Sequence, residues 1–302
     1  MHKRIAATFL ALLVPSVEAY AAPQGGTPIP GNIVEFAGST GRFNLLIAAL
    51  GATGLDAALD GSQTSERFTV FAPTDDAFLA LAPGSTVPEL LNDLPRLTNI
   101  LLYHVAAGGL LASDVLGGAT VDTLNGQRLD VSTVGSAAFL DQSEIFLTDV
   151  LASNGVIHVI DRVLLPNENN IVETAAAAPP AAFLSHLLEF LPTLEQTVAT
   201  GEFTVFAPEN AAFQMFSPNT LRSLAEPTGL ATLEAILSVH VVPGRLYADD
   251  VIAAGSLLTV GGKVLPVTTS GGNVFVDGAQ VILADIDVAN GNIHFIDTVL
   301  MP

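Results

Sequence analysis

The feature that most constrains this sequence is an internal repeat about 135 residues long. The segment FTVFAP occurs at 68–73 and again at 203–208, and NGVIHVID at 154–161 returns as NGNIHFID at 290–297. This period is too long for a solenoid unit of roughly 20 to 50 residues. Each copy is therefore expected to fold as a whole domain, and we place the domains at 28–166 and 167–302.

Each copy is expected to begin with helices and to end with strands. Apolar residues recur at helical spacing in 45–50 and 94–102, whereas 68–72 is aromatic and β-branched, as buried strands are. Asn125-Gly126 and Gly261-Gly262 lie between strand-like flanks and predict hairpin turns. The later strands of the first copy are predicted at 138–140, 145–147, 156–160 and 163–165, matched in the second by 274–276, 281–283, 293–296 and 299–301. This order predicts an α+β fold rather than alternating βα units.

The first residues have the pattern of a signal peptide. Lys3 and Arg4 precede an apolar run at 5–14, and Ala19-Tyr20-Ala21 supplies a small-residue cleavage pattern. The run is shorter than the roughly 20 residues that a membrane-spanning helix needs, and no later apolar segment reaches that length without interruption. We therefore expect a leader at 1–21, a secreted or periplasmic protein, and no membrane span after leader removal.

The acidity of the chain argues against two classes of partner. It has 30 Asp and Glu against 10 Lys and Arg, which gives a formal net charge of -20. Nucleic acid and anionic membrane surfaces bind through basic side chains, so neither is expected as a partner. A solubilising acidic surface is a simpler explanation for this charge than cation binding.

Three motifs, in the same order in both copies, resemble those of the fasciclin domain family. The first is TVFAPTDDAF at 69–78, the second is Tyr103-His104, and the third is NGVIHVID at 154–161 followed by Val163-Leu164-Leu165-Pro166. The resemblance implies a β-wedge or sandwich packed with several α-helices. It also implies a role in extracellular adhesion or matrix binding.

The second copy departs from the motifs at two places. Glu209-Asn210-Ala211 replaces Thr74-Asp75-Asp76, and Val239-His240 replaces Tyr103-His104. Asn210 keeps a short polar side chain that can cap the helix after it. The first copy is therefore the better candidate for recognition of the family type.

Four histidines, at equivalent points of the repeat, are the first candidates for chemistry: His104, His158, His240 and His294. All lie among apolar neighbours, which favours hydrogen-bonded core side chains over ligands. Each copy offers two motif histidines and the chain has no cysteine, so neither a metal site nor a cofactor is expected. The pair Asp285 and Asp287 has a partial calcium-loop pattern, but it is better explained as an acidic strand end.

No catalytic motif is present, so we expect a protein without enzymatic activity. The other motif residues, Asn154, Asn290 and Asp297, are predicted to be structural. The leading hypothesis is adhesion, through binding to a cell-surface or matrix protein or polysaccharide. The residues proposed for binding are Tyr103, His104, Asp75 and Asp161, with a structural role as the alternative for each. A second hypothesis is a carrier of an apolar molecule such as a carotenoid or lipid.

Overall fold

The computed structural model describes residues 31–61 and 66–302, so the predicted leader lies outside the described residues. Contacts between Cα atoms divide the chain into two compact units. The first holds the described residues up to Leu94 with Ala107–Gly118 and Ser132–Val163. The second holds Pro95–Ala106, Ala119–Val131 and Leu164–Pro302. Two segments of the first sequence repeat thus belong to the second unit.

The first repeat has its helices mainly before its strands, as predicted. Its helices are α1 (Ile33–Thr40), α2 (Asn44–Thr53), α3 (Asp56–Leu59), α4 (Asp75–Leu79), α5 (Val87–Leu91), α6 (Leu94–Tyr103) and α7 (Ala112–Val115). Its strands are β1 (Phe68–Pro73), β2 (Val105–Ala107), β3 (Thr120–Asp122), β4 (Arg128–Val134), β5 (Ala137–Leu140), β6 (Ser143–Ala152) and β7 (Gly155–Ile160).

The second repeat has the same order of elements. Its α-helices are α8 (Ile171–Ala177), α9 (Ala182–Leu188), α10 (Pro192–Thr200), α11 (Pro218–Leu224), α12 (Leu230–Ser238) and α13 (Ala248–Ala254), with short 3₁₀ helices at Pro179–Ala181 and Asn210–Met215. Its strands are β8 (Phe203–Pro208), β9 (Val241–Pro243), β10 (Ser256–Leu258), β11 (Val264–Ser270), β12 (Asn273–Val276), β13 (Ala279–Val288) and β14 (Gly291–Ile296).

Each repeat forms one seven-stranded mixed sheet, which confirms the predicted α+β class. The strand orders are β2-β1-β7-β6-β5-β4-β3 and β10-β11-β12-β13-β14-β8-β9. The two repeated motifs are parallel neighbours, because β1 pairs with β7 and β8 pairs with β14. Every residue of β1, β7 and β14 is buried, as expected for apolar strands in the centre of a covered sheet.

The motif glycine is the first residue of β7 and of β14, and the backbone of the neighbouring strand lies very close to it. A Cβ added at Gly155 would overlap the carbonyl oxygen of Phe68, and one at Gly291 would overlap that of Phe203. Any larger residue would push the two parallel strands apart. The glycine of the third motif is therefore explained by packing.

Two predicted strands, at 163–165 and 299–301, are wrong, because both segments lie outside the sheets. One backbone N–H of each segment donates to a histidine side chain instead. The backbone N–H of Leu164 donates to Nε2 of His104, and that of Leu300 donates to Nε2 of His240, each over 2.9 Å. Val163, Leu164, Val299 and Leu300 are buried although they have no strand partner, whereas Leu165 and Met301 are exposed.

The core of the second repeat lies on both faces of its sheet. Ile293 and Phe295 of β14 pack with helices α8 to α10 on one face, whereas Ile296 packs with Phe206 and strands β10 to β12 on the other. Among the described residues, no single helix has the length and apolar character to cross a membrane. One bent pair, Ile171–Ala177 with Pro179–Leu188, meets that test by length and composition alone.

Candidate functional site

His104 and His240 are fully buried and connect a helix to the end of each repeat. Nδ1 of His104 donates to the carbonyl of Ile100 over 2.8 Å, one turn earlier in α6, and Nε2 accepts the N–H of Leu164. His240 makes the same pair of bonds, with Ile236 and Leu300. These two histidines therefore hold the segment that follows the last strand of each repeat.

His158 and His294 form a second repeated pair, in the central strands β7 and β14. Nε2 of His158 donates to the carbonyl of Leu110, and Nδ1 accepts the N–H of Asp149. His294 makes the equivalent bonds with Leu246 and Asp285. Each ring also stacks on a buried phenylalanine, Phe71 or Phe206.

All four histidines are held in the neutral form. One ring nitrogen of each accepts a backbone N–H, so a proton on that nitrogen would break a bond and bury a charge. Burial lowers the pKa of His104 and of His240 to about 4, and it lowers the pKa of His158 and His294 as well. With both nitrogens engaged, these rings do not offer a lone pair to a metal or a base to a substrate. Among the described residues, no group of three or more His, Asp or Glu side chains is placed to hold a metal ion.

Asp75 caps a helix that is distant in sequence. Its carboxylate accepts the N–H of Leu45 and the side-chain amide of Asn44, both over 2.8 Å, at the start of α2. Thr74, and not Asp75, caps α4 by accepting the N–H of Ala77. The expectation that Asn210 caps the helix after it is wrong, because its Oδ1 accepts the N–H of Phe183 at the start of α9.

The remaining motif residues also bond to the backbone. Asp161 accepts the N–H of Glu144 over 2.7 Å and the hydroxyl of Ser143, and Asp297 accepts the N–H of Gln280. Asn154 accepts the N–H of Ile33 and donates to the carbonyl of Leu59, so it connects β7 to the first helices. Asn290 bonds in the same way to Ile171 and to the carbonyl groups of Val198 and Gly201.

The four residues proposed for binding contact different parts of the first repeat. Tyr103 is buried, and its hydroxyl donates to the carbonyl of Arg128 over 3.1 Å. It is adjacent in the chain to His104, whereas Asp75 contacts α2 and Asp161 contacts β6. Asp161 is exposed and Asp75 is half-buried. Their role in binding stays a prediction.

Sequence reasoning missed a polar cluster in the second compact unit. The guanidinium of Arg128 pairs with Asp249 over 2.8 Å and lies 3.7 Å above the ring of Tyr247. The backbone N–H of Arg128 and the hydroxyl of Tyr247 both reach the carboxylate of Asp287, which also pairs with Arg245. Burial, together with the bond to Asp287, raises the pKa of Tyr247 above its usual value. Burial also raises the pKa of Asp287, although its bonds to Tyr247 and Arg245 oppose that shift.

A comparison of the two copies position by position would have found this cluster. At an offset of 136 residues, the first copy has Gly109, Leu111 and Leu151 where the second has Arg245, Tyr247 and Asp287. A further position also changes from apolar to polar, because the first copy has Val156 where the second has Asn292. Small or apolar residues in one copy thus correspond to polar ones in the other.

The fasciclin domain model matches the chain at residues 41–166 and 181–302. Because the matches cover more than half of the sequence, the chain belongs to the fasciclin domain family, with two copies of the domain. The domain limits at 28–166 and 167–302 stay a prediction.

Relatives include both animal and bacterial proteins. The chain is 30% identical to the pig transforming growth factor-beta-induced protein ig-h3 over 249 residues, which is 78% of this chain and 35% of that protein. It spans about a third of the length of that relative. It is 40% identical over 134 residues to an uncharacterized protein of Synechocystis, which is 44% of this chain and 97% of that protein. A solved FAS1 domain pair from the insect cell adhesion molecule fasciclin I covers 89% of this chain and 98% of its own at 19% identity, with a TM-score of 0.43.

Proposed function

We propose that this chain is an exported, non-enzymatic binding protein that attaches to a cell-surface or matrix protein or polysaccharide. The proposal rests on one observation, which is what the side chains of the family motifs contact. In both repeats the motif His, Asn and Asp side chains bond to the backbone of their own repeat. Side chains used in this way support a scaffold whose exposed surface does the binding.

The net charge of the chain restricts the classes of partner that it can bind. With a net charge of -20, the chain repels polyanions, so a neutral or basic partner is favoured over an acidic polysaccharide. Attraction to a basic partner would weaken as salt is added, whereas binding to a neutral polysaccharide would change little. Salt dependence therefore separates these two classes of partner.

The test is capture of cell-surface material on the purified, immobilised protein, together with attachment assays on cells that lack the gene. Asp161 is the first residue to change, because it is the most exposed of the four residues proposed for binding. We expect Asp161→Asn to reduce capture, and Asp297→Asn, at the equivalent position of the second repeat, to leave it unchanged. No retained material and unchanged attachment would contradict the proposal.

One observation bears on the alternative, a carrier of an apolar molecule. A cavity of about 20 Å³ lies between α8 to α10 and the sheet of the second repeat. Its lining is apolar except for His240. A cavity of this size holds about one water molecule, so a carotenoid or a lipid would fit there only if the helices moved away from the sheet. Protein purified under native conditions that contains neither a chromophore nor extractable lipid would exclude this alternative.

A further inference from the structure

The polar cluster is the contact that one hairpin makes within the second compact unit. We call β3, the Asn125-Gly126 turn and β4 the first hairpin, and we call Tyr247, Asp249 and Asp287 the polar face. Arg128 of the first hairpin pairs with Asp249 and stacks on Tyr247, and the hydroxyl of Tyr247 donates to the carbonyl of Gly126 over 3.2 Å. A charged hairpin is therefore matched to a polar and acidic face.

The second repeat contains the same hairpin with different chemistry. This second hairpin consists of β10, the Gly261-Gly262 turn and β11. Where the first hairpin has Asp122, Leu124 and Arg128, the second has Leu258, Val260 and Val264. Leu258 is 61% exposed, Val260 44% and Val264 57%. Leu258 and Val264 are paired across the two strands, so their side chains lie on the same face.

The first repeat contains the positions equivalent to the polar face, and two of these three positions hold leucine. Leu111, Ser113 and Leu151 stand there in place of Tyr247, Asp249 and Asp287. We call these three residues the apolar face. Leu111 is 41% exposed, Ser113 is exposed and Leu151 is half-buried. The chain thus has an exposed apolar hairpin in one repeat. In the other repeat, the positions equivalent to those that receive a hairpin include the exposed Leu111 and the half-buried Leu151.

We propose that the second hairpin of one molecule docks on the apolar face of a second copy of this chain. The contact would repeat, with apolar side chains, the geometry that the first hairpin has on the polar face. The two sets of residues also disfavour the opposite pairing, in which the first hairpin docks on the apolar face or the second hairpin on the polar face. Arg128 on the apolar face would lose its pairing with Asp249 and keep only the more distant acid, Asp114, which is equivalent to the Asp250 found 3.9 Å from Arg128. Val264 on the polar face would leave Asp249 without its cation.

The proposed contact is heterologous, because each molecule contributes a different surface. Such contacts form chains or rings rather than simple symmetric dimers. A hairpin tip is small beside the roughly 1,200 to 2,000 Å² of a stable interface, so the association should be weak and dependent on concentration. The net charge of -20 opposes it at low salt, and added salt should strengthen it.

The test uses the absence of cysteine in the natural chain. Leu111 and Val264 are equivalent to Tyr247 and Arg128, which are in contact, so Leu111→Cys and Val264→Cys in one chain should form disulfides between molecules. We expect a ladder of oligomers on non-reducing gels at high protein concentration. The matched control is Leu79→Cys with Val264→Cys, because Leu79 is 74% exposed and lies in α4, outside both surfaces. A ladder no stronger than that of the control would overturn the proposal.

A second measurement transfers the charged pair to the proposed contact. Val264→Arg alone should weaken self-association by about tenfold or more in sedimentation experiments, because it buries a charge where Ser113 stands in place of the close partner Asp249. Adding Ser113→Asp, at the position equivalent to Asp249, should restore association and make it weaken with salt. Association unaffected by Val264→Arg, or not restored by the pair, would contradict the contact. The proposal goes beyond the proposed binding function, and neither result depends on capture of cell-surface material.

Discussion

At the scale of single residues, the buried histidines connect stability to pH. His104 and His240 have pKa values of about 4 in the folded protein, against about 6.5 when unfolded. Desolvation is the main cause for both, and Lys263 adds to it for His240. Between pH 6.5 and pH 4 the unfolded chain therefore binds more protons at these two histidines than the folded protein does. The stability that depends on their neutral form is fully present above pH 6.5 and is lost as the pH decreases towards 4.

We expect each of these two histidines to contribute a loss of roughly 3 kcal/mol in the free energy of unfolding between pH 7 and pH 4. Urea unfolding across that range measures it. His240→Gln should reduce the slope, because glutamine does not titrate. The double variant, His104→Gln with His240→Gln, should reduce the slope further, because both residues have lowered pKa values. An equal slope in all three proteins would contradict this account.

Asn292 gives a second prediction at this scale. Its side chain is fully buried in β14, and neither its amide nitrogen nor its oxygen has a hydrogen-bond partner among the described residues. An unpaired buried amide costs about 1 to 3 kcal/mol, and the first repeat has Val156 at the equivalent position. Asn292→Val should therefore raise the free energy of unfolding by a similar amount, measured by urea denaturation. The converse change, Val156→Asn, should lower it, and two changes of the same sign would contradict the reasoning.

At the scale of elements, the helix starts depend on polar residues far away in sequence. Asp75 stabilises the first turn of α2, and Asn210 does the same for α9. Removal of such a cap typically costs about 1 kcal/mol. We expect Asp75→Ala and Asn210→Ala each to lower the unfolding free energy by that amount. Asp76→Ala is the matched control, because Asp76 is exposed beside Asp75, and it should change stability by less than about 0.5 kcal/mol.

The same elements show how far the sequence predicts the fold. Helix α6, strand β1 and both glycine turns were predictable because periodicity, β-branching and turn residues are local signals. The caps were not, since a short polar residue before a helix predicts a local cap, whereas Asp75 and Asn210 bond about thirty residues away. The segments at 163–165 and 299–301 were misassigned because a histidine ring replaced the strand partner that apolar content suggested.

The candidate site was predictable in part. The structural alternative for the motif histidines followed from their apolar neighbours, and the structure places all four in hydrogen-bonded interiors. The cluster of Arg128, Tyr247 and Asp287 could not be recognised from any single motif. Its members are up to 159 residues apart, and only their difference from the equivalent apolar positions identifies them.

At the scale of the whole molecule, the net charge of -20 makes the acidic side chains of the chain repel one another. Most of the basic side chains that form ion pairs lie near acidic residues of their own unit, such as Arg245 beside Asp287 and Lys263 beside Asp277. Each neutralises only the acid beside it, so the excess negative charge stays on the surface. The Debye length falls from about 30 Å at 0.01 M salt to about 3 Å at 1 M, which removes most repulsion between exposed carboxylates. We therefore expect the free energy of unfolding to rise with NaCl over this range.

Chemical denaturation with urea, an uncharged denaturant, measures this rise without adding salt of its own. The matched variant is Glu226→Gln with Glu234→Gln, because both side chains are exposed and their change lowers the net negative charge by two. Its salt dependence should be weaker than that of the natural chain, and its stability at low salt should be higher. If the variant responds to salt as strongly as the natural chain, the effect comes from salt acting on apolar burial and not from screening.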